Sequence, residues 1–155
     1  MFIDDTQRPA YFAFASDVLG ETYIHSTCTK CLACVAGSEG DSPDSTDPRR
    51  ILAVVIFDRI TGTDCMMCVA SDGRGHWLTR RMLYWSFYVP FVQWRLRRVS
   101  AVVHAHNAAA LKLDKHLGFV EEGRLRRAFD DGVDGILLGM LKEECRFLKQ
   151  DLLKG

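Results

Sequence analysis

The sequence predicts a single mixed α/β domain, and three observations carry that prediction. Residues 98–129 read as strand, helix and strand: the β-branched alternation of VSAVVHAH stops at Asn107, the helix-forming stretch AAALKLDKHL follows, and Gly118 ends it before a new strand. Two apolar runs, residues 51–58 and 65–71, flank the turn Ile60-Thr61-Gly62-Thr63 as an antiparallel hairpin. Finally, 155 residues with 48% hydrophobic content suit one core. Folding at that length buries about 70% of the unfolded chain's surface. No internal repeat or second domain is visible, so residues 1–155 are expected to be one unit.

Taken in order, residues 8–20 predict a first helix with Pro9 near its start and Gly20 as its stop. Tyr11, Phe12, Phe14, Ala15, Val18 and Leu19 give it an apolar stripe for packing on a sheet. Residues 32–36 suggest a strand, and the Gly, Ser, Asp and Pro content of residues 37–48 predicts a loop. Its acids Glu39, Asp41, Asp44 and Asp47 read as a solvated surface or as a greeting for a cationic substrate. The nearly continuous run ILAVVIFD marks a central strand covered on both faces. A Gly-containing turn follows the strand at 65–71 and opens a helix from about Leu78. That helix is apolar nearly all round and is expected to end or kink near Val89, before Pro90. Such a helix belongs in the core or partly in a subunit interface, so a homodimer is one expectation. Strand 99–106 places Ser100, Val102, His104 and His106 on one face. Residues 123–129 and 133–141 predict a hairpin around a DDG turn, and residues 142–155 a closing amphipathic helix with Leu141, Cys145, Leu148 and Leu152 on one side.

Composition excludes several function classes. The formal net charge is zero, so no global field recruits nucleic acid or an acidic membrane. The start MFIDDTQRPAY has acids where a signal peptide needs bases, and no apolar run approaches the roughly twenty residues that span a bilayer. A soluble cytoplasmic protein without nucleic-acid or membrane partners is the expectation. The six cysteines then read as reduced thiols. Cys28, Cys31, Cys34, Cys65 and Cys68 include C-x-x-C spacings that could feed zinc, which makes a zinc-stabilised interaction module one alternative. Their flanks, CLACVA and CMMCVA, read instead as buried strands, so no metal site is assigned.

The segment holding Asn107, Gly118 and Phe119 resembles the second half of the GNAT superfamily of N-acetyltransferases, in which a strand ends at Asn, a short helix follows and Gly-Phe leads into the next strand. The continuation EEGRLRRAFDDGVDGILLGML looks like the subgroup that acetylates ribosomal-protein amino termini, and like small GNAT proteins of phages and prophages. The resemblance extends over residues 50–148. It implies a largely antiparallel central sheet flanked by helices, with two neighbouring strands splayed apart, and acetyl-CoA as co-substrate. The acceptor it implies is an amine, on a small molecule or a protein.

For the cofactor, the resemblance points to the turn after the strand at 65–71, whose family form is Gln/Arg-x-x-Gly-x-Gly/Ala. Here it reads Arg74, Gly75, His76, Trp77, Leu78, Thr79, followed by Arg80. Trp77 and Thr79 stand where the family has small residues. The physical basis is general, since unpaired N–H groups and the dipole at a helix start suit a pyrophosphate. By the same resemblance, backbone N–H groups near Val69, Ala70 and Ser71 hold the thioester carbonyl as charge develops on it. Asn107 either caps the following helix or bonds the cofactor arm. His104 and His106 are the candidate bases. Many family members carry a Tyr acid seven residues after this Asn; here Asp114 stands there, and at its ordinary value it would be ionised and a poor acid. The expected activity is acetyl transfer to an amine by direct attack in a ternary complex. A catalytically degenerate fold that binds CoA or a protein is the alternative.

Overall fold

The computed structural model describes residues 1–37 and 47–149. Glu39, Asp41 and Asp44 of the acidic loop, and Leu152 of the expected closing helix, lie outside them. In chain order the elements are β1 (Phe2–Asp4), α1 (Pro9–Leu19), β2 (Lys30–Val35), β3 (Ile51–Asp58), β4 (Met66–Ser71), α2 (Arg80–Tyr88), β5 (Arg98–His104), α3 (Ala108–Leu117), β6 (Val120–Leu125) and β7 (Gly135–Leu141). The seven strands form one sheet in the order β1-β2-β3-β4-β5-β7-β6. Every neighbouring pair is antiparallel except β4 and β5.

Each face of the sheet has its own core. On one side Tyr11, Phe12, Phe14 and Ala15 of α1 pack on Cys31, Ala33, Val54, Ile56 and Ala70. On the other, Met82 and Phe87 of α2 pack on Leu32, Val55, Phe57, Ala101 and Val103. The strand β3 is buried on both faces, as its unbroken apolar run requires. Alternation divides the C-x-x-C pairs: Cys31 joins the α1 core and Cys34 the α2 core, while Cys65 faces the α2 core and Cys68 packs toward α1. Neither pair can therefore meet at one ion. Burial pushes the thiols of Cys31 and Cys65 up to about 12, so they behave as small apolar side chains.

Several boundaries differ from expectation for identifiable reasons. Val18 is exposed, while Leu19, the next residue, still packs against the α1 core. The α-helical part of α2 ends at Tyr88, just before Pro90, as expected, but the chain continues from Val89 into an unexpected π turn through Gln93, which absorbs the missing N–H, and Trp94 N donates to Val89 O at 3.0 Å. The strand β5 stops at His104, and Ala105 and His106 form a turn closed by Asn107 N donating to His104 O at 2.8 Å. His106 is therefore exposed and off the strand face expected of it. The last hairpin pairs β6 with β7 around a loop longer than the DDG turn. In place of one closing amphipathic helix, the described residues hold two short 3-10 turns, Lys142–Glu144 and Arg146–Leu148. They bury Cys145 and Phe147, not Leu141, which is exposed at the end of β7. Strand β1, which the sequence did not suggest, pairs Phe2–Asp4 with the edge of β2.

Candidate active site

The two central strands part. β4 and β5 run parallel and share one paired position, Met66 with Ser100, where Ser100 N donates to Cys65 O at 2.9 Å. A polar cluster clamps this closed end: Ser100 Oγ donates to Asp64 at 3.0 Å, and Arg98 Nε donates to Ser100 Oγ at 3.1 Å. Beyond the clamp the strands diverge around a cleft of about 460 Å³. Because Cys65 turns its carbonyl toward β5, period-two alternation turns the amides of Met67, Val69 and Ser71 the same way. Val69 and Ser71 thus face the gap with their backbones. The backbone of Ala70, also expected there, faces β3 instead, where the residue pairs with Val54.

On the α2 side the cleft is lined by Trp77, Leu78, Leu83 and Phe87 and by the stripe Asn107, Ala110, Asp114 and Leu117 of α3. The turn before α2 is built by glycine: Gly73 and Gly75 take φ of 85° and 68°, which side chains rarely adopt. A Cβ on Gly75 would also meet Leu52 Cδ2 at 3.2 Å. Thr79 caps α2, its Oγ1 accepting from Met82 N at 3.1 Å, so the hydroxyl that breaks the family pattern has a structural use. Trp77 is half-buried against the α2 core and lines the cleft wall, while His76 is exposed on the turn.

Arg74 is occupied. Its Nε donates to Asp72 at 2.7 Å, Nη1 to Arg49 O at 2.9 Å, and Nη2 to Pro48 O and Ile51 O at 3.3 Å. It ties the turn to the start of β3 and has little left to offer a phosphate. Arg80 and Arg81 remain exposed at the start of α2 and form no ion pair among the described residues. The first N–H groups of the helix lie beside them without intrahelical acceptors. Of the cationic side chains named around this turn, Arg74 is engaged within the fold while Arg80 stays exposed.

His104 lines the cleft, but both ring nitrogens are engaged: Nε2 lies 2.7 Å from Asp131 Oδ2, and Nδ1 accepts from His106 N at 3.2 Å. With Nε2–H donated to the carboxylate, the lone pair on Nδ1 is spent on a backbone amide, which leaves no free base. The imidazole instead pins the β6–β7 loop against the end of β5. Asn107 Oδ1 accepts from Ala110 N at 3.2 Å, the capping role, while its amide group remains on the cleft wall.

Asp114 is not an ordinary aspartate, although at neutral pH most of it is still ionised. It stands in the middle of the α3 stripe, facing the apolar wall of α2, and its carboxyl makes no hydrogen bond or ion pair among the described residues, although its backbone carbonyl accepts from Phe119 N at 3.0 Å. Burial raises its carboxyl to about 6. A spacing of seven residues from Asn107 was visible in the sequence; the low-polarity surroundings that change its chemistry come from α2, which is distant in the chain.

This architecture, a mixed sheet with one splayed parallel pair and helices on both faces, is the GNAT N-acetyltransferase fold. Among solved structures, a chimera of the spermidine N-acetyltransferase from Vibrio cholerae superposes with a TM-score of 0.70 at 15% identity, covering 92% of this chain and 98% of that one. The spermidine/spermine N-acetyltransferase from Vibrio cholerae crystallised with manganese gives 0.68 at 16% identity, over 90% of this chain and 91% of that one. In sequence, the chain is 32% identical over 91 residues to an uncharacterised, SPbeta prophage-derived N-acetyltransferase of Bacillus subtilis (strain 168). That match takes in 56% of this chain and 51% of its relative, so the chain spans about half the length of the curated relative it matches. No family model matches the sequence. No helix among the described residues is long and apolar enough to cross a membrane.

Proposed function

We propose that this protein transfers an acetyl group from acetyl-CoA to an amine by direct attack. The observation that carries the reading is the single paired position between β4 and β5, because the gap beyond it exposes strand amides to a ligand. Val69 and Ser71 offer N–H groups that stabilise the thioester oxygen as it gains negative charge. Arg80, Arg81 and the first amides of α2 hold the pyrophosphate, with Gly75 letting the backbone come close. The amine nitrogen attacks the carbonyl carbon, the carbon–sulfur bond breaks, and the ammonium proton leaves to water. Asp114, whose apolar setting enlarges its protonated fraction near neutral pH, gives its proton to the departing thiolate and is reprotonated from solvent. An α-amine, with an ordinary value near 8, reaches the neutral form more readily than a lysine near 10.4 and so needs no dedicated base.

Calorimetric titration with acetyl-CoA and CoA, followed by thiol release against a panel of amines, tests the reading. Heat with both nucleotides and release with at least one amine are expected. No heat with either nucleotide at micromolar protein would remove the enzyme; heat without release from any amine would leave a CoA-binding module.

A further inference from the structure

The cleft opens through both faces of the sheet, and alternation separates its two mouths. Ala101 and Val103 look toward α2, so Val102 and His104 look the other way. There the cleft is walled by Leu19 of α1, Cys68 of β4, Val102, His104 and Phe129. On the acetyl-transfer reading this α1-side mouth is the one left for the acceptor, and we propose that it selects a primary amine carried on an apolar, aromatic-sized group over a polyamine. This rests on the acetyl-transfer reading, since the α2 side is the one that holds the anion-binding helix start.

The polar groups described around this mouth are uncharged or already carry a hydrogen-bond donor. Asp131 is held by His104 and, through Oδ1, by Val133 N at 3.0 Å. Asp134 accepts from Arg127 N at 2.9 Å and from Arg124 at 3.0 Å. Glu21 accepts from the Tyr23 hydroxyl at 3.3 Å. Tyr23 Oη lies 3.6 Å from Cys68 Sγ. Burial, first of all, keeps both of these uncharged, lifting the thiol to about 11 and the phenol further. A second ammonium drawn into such a mouth loses its water and finds Asp131 and Asp134 already engaged, with Glu21 the one carboxylate among these groups held only by a neutral donor. A hydrocarbon group instead meets Leu19, Val102 and the ring of Phe129.

That ring is held in place, not merely nearby. Phe129 N donates to Val133 O at 3.2 Å and Gly132 N to Phe129 O at 2.9 Å, and the ring packs 5.0 Å from that of His104. Gly135 makes room for the loop: a Cβ there would meet Val102 Cγ1 at 2.6 Å and Phe129 Cε2 at 3.5 Å.

The test uses the full chain with acetyl-CoA and reads thiol release from 2-phenylethylamine and from spermidine. A kcat/KM about tenfold or more in favour of the aromatic monoamine is expected, the size of a modest apolar contact. Phe129→Ala should erase most of that preference by raising the amine KM while the KM for acetyl-CoA stays put. Phe129→Leu, which keeps the apolar wall, should retain part of it and covers the case in which the alanine variant fails to fold. Equal or better use of spermidine, or a preference untouched by both substitutions, overturns the selectivity and leaves acetyl transfer standing. Release from no amine at all overturns both.

Discussion

The carboxyl of Asp114 is where the chemistry is most exposed to a single change. A partly buried acid whose folded value is raised binds its proton more tightly in the native state than in the unfolded one. Its stabilising share is therefore complete below about pH 4 and is lost as pH climbs through about 6. Above that, an ionised Asp114 costs stability, on the order of 1–2 kcal/mol once partial solvent exposure is discounted. Asp114→Asn should then raise the thermal midpoint at pH 8 by a few degrees and leave it unchanged at pH 4, as paired melts would show. The same substitution should cut kcat by about a hundredfold and remove the alkaline limb that loss of the acid imposes on the pH–rate profile. A variant that lost stability at pH 8, or kept its rate, would show that this carboxyl is neither strained nor used. The arginines divide in a parallel way. Arg80→Ala should weaken CoA binding about five- to tenfold and flatten its salt dependence, whereas Arg74→Ala, which frees three carbonyls and Asp72, should lower the thermal midpoint.

Between β5, β6 and β7 a side-chain bridge depends on a missing side chain. The pairing of β6 with β7 slips between Glu121 and Gly123, and this bulge turns Glu122 back across β7 to meet the guanidinium of Arg98 on β5. It crosses above Gly139, where a Cβ would collide with both Glu122 Oε1 and Arg98 Nη2. Gly139→Ala should cost roughly 1–3 kcal/mol through overpacking, and Glu122→Ala in the same chain should recover part of it; a double-mutant cycle of thermal melts measures the coupling. Local sequence could not show this bridge, because a bulge and a cross-strand glycine acquire meaning only from register. What it did show were elements with a strong local signal. The helix from Asn107 to Gly118 appears as expected, with its cap and its left-handed stop at φ 116°, and β3 matches its apolar run residue for residue. Elements set by packing were missed: the edge strand β1, the π turn at Pro90 and the 3-10 turns after Leu141. The site was legible to the same degree. Asn107 and Val69, named from the family resemblance, do line the cleft, while the engagement of Arg74 and His104 by distant partners could not be read from the sequence.

At the scale of the molecule, the sheet gives up pairing that it could have made. Seven strands share a continuous ladder except beyond Met66 and Ser100, where β4 and β5 leave a mostly apolar gap of about 460 Å³ in the middle of the structure. Unpaired strand amides and hydrated apolar walls at the centre of a sheet are a standing cost to the free protein, and a ligand that fills them returns it. Two consequences separate this from a merely irregular sheet. A ligand present at a hundred times its dissociation constant adds about 2.7 kcal/mol, so CoA should raise the thermal midpoint by roughly 5–10 °C. Val69, 41% exposed on the α2 side of the gap, is the position from which to fill the space by mutation. Val69→Phe should keep or raise the midpoint of the free protein, because the added ring buries apolar surface, and should abolish the shift that CoA produces. The two melts read together decide the matter: a free-state midpoint well below wild type would mean that the gap is closed in solution and that the ring is forcing it apart. An unchanged response to CoA would mean that the nucleotide binds somewhere else.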